Sequence, residues 1–188
     1  MSLLLTVGVI LASSDLFPDR LANRLELTRS GVSSGEFWRL WTSALVHFGP
    51  VHAGADALAL FVGGFWFERR FGPGALLGCL LAVAPLTAIP VLVLDTGVQV
   101  VRGSSALGVF LVATAWFDFW ARRAVSRLVL AVIALVFLLR QSGADLGIAA
   151  GVLPLGVKPA VSAHLIAVLL AGLTVWQIQR RNRSSASG

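Results

Sequence analysis

Three positions along the chain carry polar side chains within apolar stretches, in a combination that could perform acyl transfer. The first holds His52 and Asp56, four residues apart and therefore on one face of a helix. The second is Gly103-Ser104-Ser105 and the third is His164. A serine becomes a nucleophile when a neutral histidine within hydrogen-bond reach takes its proton, and Ser105 with His164 supplies that pair. For the oxyanion that would develop, we predict His52 and the backbone N–H of Ser105 as donors.

The elements that must position these groups are membrane spans. Hydrophobic residues make up 57% of the 188 residues and charged residues only 13%, with a mean hydropathy of +0.86, which is more apolar than soluble domains usually are. Spans must be helical, because lipid offers no partner to free backbone groups. We therefore predict one all-α, polytopic membrane domain over residues 1–188, with six spans near residues 2–17, 49–67, 74–94, 104–121, 124–139 and 159–179. A secretory signal peptide is the competing interpretation of the first segment, although no basic residue precedes it.

Six spans would bring the polar groups together at one end of the bundle. The second, fourth and sixth spans run in the same direction, and their polar groups lie within the first two turns, about 5 to 10 Å deep. The fourth and sixth spans also carry small residues at four-residue spacing, which permit close helix approach: Ser104 and Gly108 on the fourth, and Ala163, Ala167 and Ala171 on the sixth. This pattern predicts that these two spans meet with Ser105 and His164 at their seam.

The basic residues favour an orientation with both termini in the cytoplasm. Eight of the 15 Lys and Arg residues, including Arg69-Arg70 and Arg180-Arg181, lie on that side and seven on the other. The pI near 11.4 does not indicate nucleic acid, because the arginines are spread over span ends and loops. We expect the lipid bilayer as the partner instead. Arginine outnumbers lysine fourteen to one, as in GC-rich bacteria, so we expect a bacterial inner membrane.

Taken in order, the motifs make the chain resemble the rhomboid family of intramembrane serine proteases from Trp38 to Gly172. They are Trp38-Arg39, His47 followed by His52-x-x-x-Asp56, Gly64-x-x-x-Glu68-x-x-x-Gly72, Gly103-Ser104-Ser105 and Ala163-His164. Each motif alone occurs by chance in many chains, but their order and their placement on spans two, four and six are specific. The segment Gly35-Glu36-Phe37-Trp38-Arg39-Leu40 is also similar to the rhombosortase branch of the family.

The resemblance implies a six-helix rhomboid-like bundle that cleaves transmembrane protein substrates in or near the outer membrane boundary. It implies a Ser–His dyad that uses no third carboxylate, no metal and no cofactor. Carried over, Ser105 is the nucleophile, His164 the base and His52 an oxyanion donor, with Asp56 and Gly103 beside them. We expect structural roles for five further residues. Trp38 and Arg39 tie the loop at residues 18–48, and Glu68 caps the second span. His47 and Gly64 are structural as well.

Asp56 departs from the family pattern, which usually has Asn at this position. An ionised carboxylate beside a developing oxyanion would oppose catalysis. Two resolutions are open: Asp56 is protonated and donates a hydrogen bond, or it pairs with His52 and holds that imidazole as a charged donor. In both cases Asp56→Asn is predicted to retain or raise activity.

Two other classes of function are open. A catalytically silent rhomboid-like scaffold would bind transmembrane clients, although an inactive relative would usually lack the serine or the histidine, and this chain keeps both. A membrane metal site is the other class, with His47, His52, Asp56 and His164 as ligands. The absence of a second carboxylate or a cysteine beside these ligands, together with Gly103-x-Ser105, favours the hydrolase.

Overall fold

The computed structural model of the protein describes residues 1–4, 6, 19–122 and 160–186, and over these ranges the fold is all-α. The helices are α1 (Asp19–Leu25), α2 (Arg29–Ser33), α3 (Arg39–Thr42), α4 (Pro50–Phe71), α5 (Pro73–Leu94), α6 (Ser105–Arg122) and α7 (Val161–Ala186). A 3₁₀ turn at Ser43–Leu45 follows α3. The two-residue strands β1 (Leu27–Thr28) and β2 (Val100–Val101) pair antiparallel, with Leu27 opposite Val101.

Four predicted spans coincide with α4 to α7, whereas the first lies mostly, and the fifth entirely, outside the described residues. Within the described ranges, α5 and α7 are each long and apolar enough to cross a membrane. A third crossing is counted if Arg39–Leu45 and Pro50–Phe71, which meet at 104°, form one broken span. These helices expose large apolar side chains such as Leu58, Leu81 and Leu169, as contact with lipid requires. The chain is therefore a helical membrane protein.

Helices α4 and α5 are joined by the single residue Gly72. Its φ of 86° lies in the left-handed region, which glycine adopts without a steric penalty, and Pro73 then begins α5 at a position where a missing N–H costs nothing. Because β1 precedes this helix pair and β2 follows it, the pairing of the two strands brings the end of α5 back to the side from which α4 starts.

A proline in α5 creates an attachment point for the loop at residues 18–48, hereafter the first loop. Pro85 lacks the N–H that would bond to the carbonyl of Leu81 in a regular helix. That carbonyl instead accepts a hydrogen bond from the indole Nε1 of Trp41, at 2.8 Å. Since an unpaired carbonyl is costly in lipid, the contact both completes α5 and anchors α3 to it.

The adjacent side chains of Trp38 and Arg39 point to opposite sides of the first loop. Trp38 is 51% exposed, whereas Arg39 is buried at 7% exposure. The Arg39 guanidinium donates to the Glu36 carboxylate at 2.6 Å and to the main-chain carbonyls of Asn23 and Glu26 at 2.9 and 2.6 Å. Arg39 thus joins α1 to α3, while the neighbouring aromatic faces outward.

Helix α6 packs between α4 and α7, and small residues set both approaches. A methyl group at Gly108 would lie 2.8 Å from Cβ of Ala59, so this glycine faces α4. The prediction that Gly108 lies at the seam with the sixth span is therefore wrong. Ala167 and Ala171 of α7 are fully buried in the core that α6 shares, so the predicted small-residue face of the sixth span does point into the bundle.

Candidate active site

The residues with predicted chemical roles converge at the start of α6: His52, Asp56, Gly103, Ser105 and His164. The chain leaves β2, passes Gly103 and Ser104, and enters the helix at Ser105. Gly103 has a φ of 120°, which other residues rarely adopt. A Cβ there would lie 2.8 Å from Cε1 of His52 and 3.0 Å from Oδ2 of Asp56. Glycine is thus required twice, by the backbone conformation and by the close passage of the chain over α4.

Ser105 and His164 lie within hydrogen-bond distance across the α6–α7 seam. Oγ of Ser105 is 2.9 Å from Nε2 of His164, although 59 positions separate the two residues in the chain. With the imidazole proton on Nδ1, the hydroxyl donates to Nε2, which is the geometry from which a base takes the hydroxyl proton. Both residues are half-buried, so the pair is held by the bundle yet remains partly accessible.

Asp56 is the acceptor at the centre of a buried polar cluster behind the nucleophile loop. Its Oδ2 lies 3.1 Å from Nε2 of His47, 3.4 Å from Oγ of Ser104 and 3.6 Å from Nε2 of His52. All four residues are at most 9% exposed. The shortest contact is with His47, which the sequence analysis took as a structural residue or, in the metal-site alternative, as a ligand.

His52 lies against the nucleophile loop and is held there by rings on two sides. The ring of Phe48 stacks on it with centroids 6.0 Å apart, and the His47 ring meets it edge-on at 5.1 Å. Its Nε2 faces Gly103, the residue two positions before Ser105. Among the described residues, Nδ1 of His52 and Nδ1 of His164 are buried without a hydrogen-bond partner. A histidine so placed can present an N–H to charge that develops beside Ser105.

The first loop holds the nucleophile segment through contacts that the sequence analysis missed. The amide of Gly103 donates to the carbonyl of Ser43 at 3.0 Å. Arg102 pairs with Glu26 at 2.7 Å and lies over the ring of Phe48, 5.2 Å from its centroid. The β1–β2 ladder adds main-chain pairing just before these residues. The opposite charges of Glu26 and Arg102 were the only sign of this contact in the sequence. Nothing in the sequence indicated that the two side chains lie close together in the fold.

Gly64 and Glu68 lie far from this site and contact the start of the chain. The Glu68 carboxylate accepts hydrogen bonds from the amide and the hydroxyl of Ser2, each at 2.8 Å. A Cβ at Gly64 would lie 3.2 Å from Cβ of Ser2. The Glu68 side chain therefore fastens Ser2 to α4 rather than capping the second span, which ends with the Gly72 amide donating to the main-chain carbonyl of Glu68.

The His47, His52 and Asp56 side chains of the metal-site alternative contact one another in place of forming a ligand set. Over the ranges that the structure describes, no group of three or more His, Cys, Asp and Glu side chains is arranged to hold a metal ion. Oδ2 of Asp56 points instead at ring nitrogens and a hydroxyl within its own cluster.

Comparison with known proteins agrees with the motifs. Residues 34–181, which form most of the chain, match the Rhomboid domain family. The matched region contains the first-loop tryptophans, the polar cluster, the nucleophile segment and most of α7. No curated protein matches the sequence significantly.

Proposed function

The chain belongs to the rhomboid family, and on that premise we propose that it is an intramembrane serine endopeptidase that cleaves transmembrane protein substrates. The observation that carries the proposal is the 2.9 Å separation between Oγ of Ser105 and Nε2 of His164. Because Ser105 is the first residue of α6, it has no carbonyl of that helix one turn earlier to bond to, unlike Thr114, which donates to Phe110 at 2.7 Å.

Acylation in this proposal begins when Nε2 of His164 takes the proton from Oγ of Ser105. The Oγ–carbonyl carbon bond forms, and the carbonyl oxygen becomes an oxyanion. As the intermediate collapses, the carbon–nitrogen bond breaks and His164 returns its proton to the leaving amine. Water then attacks the acyl-enzyme, with His164 again taking a proton, and releases the new carboxyl terminus and Ser105.

We assign the oxyanion to donors at the start of α6. The amide of Ser105 lies in the first turn, where main-chain N–H groups lack partners within the helix and the helix dipole favours negative charge. His52 supports it from α4, since its Nε2 faces Gly103. The pairing of Asp56 with His47 supports this assignment, because it gives Oδ2 a nearer partner, at 3.1 Å, than His52, at 3.6 Å.

The substrate must unwind locally, because a helical segment hides its carbonyls in hydrogen bonds. We therefore expect helix-breaking or small residues near the outer membrane boundary of a substrate. Cleavage there agrees with the place of the site, at the start of α6 and beside the first loop with its exposed aromatic residues.

The membrane arrangement proposed is six spans in a bacterial inner membrane, with both termini in the cytoplasm. Its support is the predicted spans and the arginines at the ends of α4, α6 and α7 opposite the site. Assignment to the rhombosortase branch stays a prediction, drawn from the sequence of residues 35–40.

The proposal is tested by labelling the detergent-solubilised protein with a fluorophosphonate probe. Wild type should be labelled, and mass spectrometry should locate the adduct on Ser105. Ser105→Ala and His164→Ala should each abolish labelling, while Ser33→Ala, the same change at an exposed loop serine, should not alter it. Cleavage of a reconstituted single-span substrate should show the same dependence.

Absence of labelling in wild type that is folded by gel filtration and thermal melting would contradict the proposal. A rhomboid-like scaffold that binds transmembrane clients would then be the better description. Labelling that survives His164→Ala unchanged would contradict the role of the base even if Ser105 carried the adduct.

A further inference from the structure

The helix that carries His164 begins without a capping side chain of its own. The residue before α7 is Ala160, which has no side-chain oxygen to accept from the first main-chain N–H groups. Helix caps of this kind are normally supplied by Ser, Thr, Asp or Asn. His164 lies in this first turn, where an uncapped helix frays most readily. The position of the base therefore depends on whatever fixes the start of α7.

A carboxylate that directly follows another helix, α5, supplies the missing cap. Oδ2 of Asp95 accepts a hydrogen bond from the amide of Ser162 at 3.3 Å and another from its hydroxyl at 2.8 Å. Ser162 is buried and precedes His164 by two residues. A negative charge at this end of a helix is also favourable to the helix dipole. Asp95 thus ties the end of α5 to the turn that holds the base.

Asp95 is itself held by the first loop. Arg29, the first residue of α2, donates hydrogen bonds to the main-chain carbonyls of Leu92, Val91 and Asp95, the last two at 3.3 and 2.9 Å. These carbonyls belong to the last turn of α5 and the residue after it, and the Val91 carbonyl also accepts from the amide of Asp95 at 3.2 Å. The guanidinium therefore fixes the backbone from which the Asp95 side chain extends.

The first loop consequently holds both members of the dyad by separate routes. One route runs to Ser105 through the ladder, the Glu26–Arg102 pair and the Ser43–Gly103 hydrogen bond. The other runs to His164 through Arg29, Asp95 and Ser162. We propose that Asp95 is a positioning residue, which caps α7 through Ser162 and thereby keeps Nε2 of His164 in register with Oγ of Ser105. This inference rests on the proposed function, because it concerns the base of that reaction.

The described hydrogen bonds of the Asp95 side chain reach the start of α7 and not the imidazole. Both bonds are donated by Ser162, and in the described part of the chain Nδ1 of His164 has no hydrogen-bond partner. The expected signature is a lower turnover number with little change in KM, since the substrate still binds while the base is misplaced. Displacement of a reacting group by about 1 Å can lower a rate by about a hundredfold.

The test compares Asp95→Ala, Ser162→Ala and the double variant with wild type, using the full chain in detergent. Each single variant should lower the rate of fluorophosphonate labelling by about tenfold, and the double variant should be no slower than either. The conservative variants Asp95→Asn and Ser162→Thr keep the acceptor and the donor, and should recover most of the rate. Ser184→Ala makes the same change at the far end of α7 and should leave the rate unchanged.

Hydrogen exchange gives a readout that does not depend on activity. In Asp95→Ala, amides in the first turn of α7 should exchange faster, whereas those near Ala171 in the middle of the helix should not. If all of these variants were labelled at the wild-type rate, the role of Asp95 would be overturned and the proposed function would remain. Multiplicative losses in the double variant would also overturn it, because the two residues would then act separately. No labelling of folded wild type would overturn the proposed function and this inference with it.

Discussion

Nε2 of His47 lies 3.1 Å from Oδ2 of Asp56, and both side chains are buried beside the nucleophile segment. The carboxylate therefore has a nearer partner than His52, whose Nε2 is 3.6 Å away. Of the two arrangements open from the sequence, one paired Asp56 with His52. The structure offers a third, in which His47 balances the acidic group and His52 is left to face Gly103.

The pairing with His47 sharpens the expected effect of Asp56→Asn. Asparagine keeps an oxygen that can accept from His47, removes negative charge beside the oxyanion and adds N–H donors. Labelling and cleavage rates should be equal to or above those of wild type. Asp56→Leu, which is similar in size but cannot accept a hydrogen bond, should lower them by more than about tenfold because it leaves buried polar groups unpaired. A more than tenfold loss in folded Asp56→Asn would contradict this view of the cluster.

Gly103 and Gly35 provide a matched pair for separating backbone strain from crowding. Both have positive φ, at 120° and 91°, but a Cβ at Gly35 would meet nothing within 4 Å, while one at Gly103 would meet His52. Either Ala substitution should lower the free energy of unfolding by about 1 to 3 kcal/mol. Only Gly103→Ala should also lower the labelling rate, by about a hundredfold, because it displaces His52 or the nucleophile loop. Equal effects of the two substitutions on labelling would refute the crowding argument.

The contact between Trp41 and the Leu81 carbonyl can be tested through the proline that creates it. Trp41→Phe removes the indole donor and should lower the free energy of unfolding by about 1 to 3 kcal/mol, because it leaves that carbonyl unpaired. Pro85→Ala restores a main-chain N–H to the helix. The cost of Trp41→Phe should therefore shrink in the Pro85→Ala background, as measured by thermal or denaturant unfolding in detergent. Additive effects of the two substitutions would count against the proposed compensation.

Arg39 is expected to stabilise the first loop through its geometry and not only its charge. The guanidinium reaches one carboxylate and two carbonyls at once, which a lysine ammonium cannot reproduce from the same place. Arg39→Lys should lower the free energy of unfolding by about 2 kcal/mol and speed proteolysis of the first loop. Arg24→Lys, at an exposed side chain of α1, is the control and should have almost no effect. Similar protease sensitivity of Arg39→Lys and Arg24→Lys would show that the guanidinium geometry of Arg39 is not needed.

The sequence predicted the helical class, four helices within the described ranges and the residues that meet around Ser105. These features could be predicted because hydropathy and motif spacing are properties of side chains along one segment. The contacts that it missed join segments far apart, and most of them end on main-chain carbonyls: Leu81 for Trp41, Ser43 for Gly103 and the end of α5 for Arg29. A carbonyl has no residue-specific signature. Only the backbone path, here set by Pro85 and by the ladder, decides which carbonyls are free and what can reach them.

The two-residue ladder also bears on how the protein is made. In the proposed six-span arrangement, Leu27 can meet Val101 only after the intervening helices α4 and α5 have inserted and returned the chain to its starting side. A molecule in which α5 fails to insert would leave the partners of the ladder on opposite sides of the bilayer, and Arg102 could not reach Glu26. The segment before Ser105 therefore takes its final form only in correctly inserted molecules. In the proposed arrangement, the four residues of the β1–β2 ladder link correct membrane insertion to the geometry of the nucleophile segment.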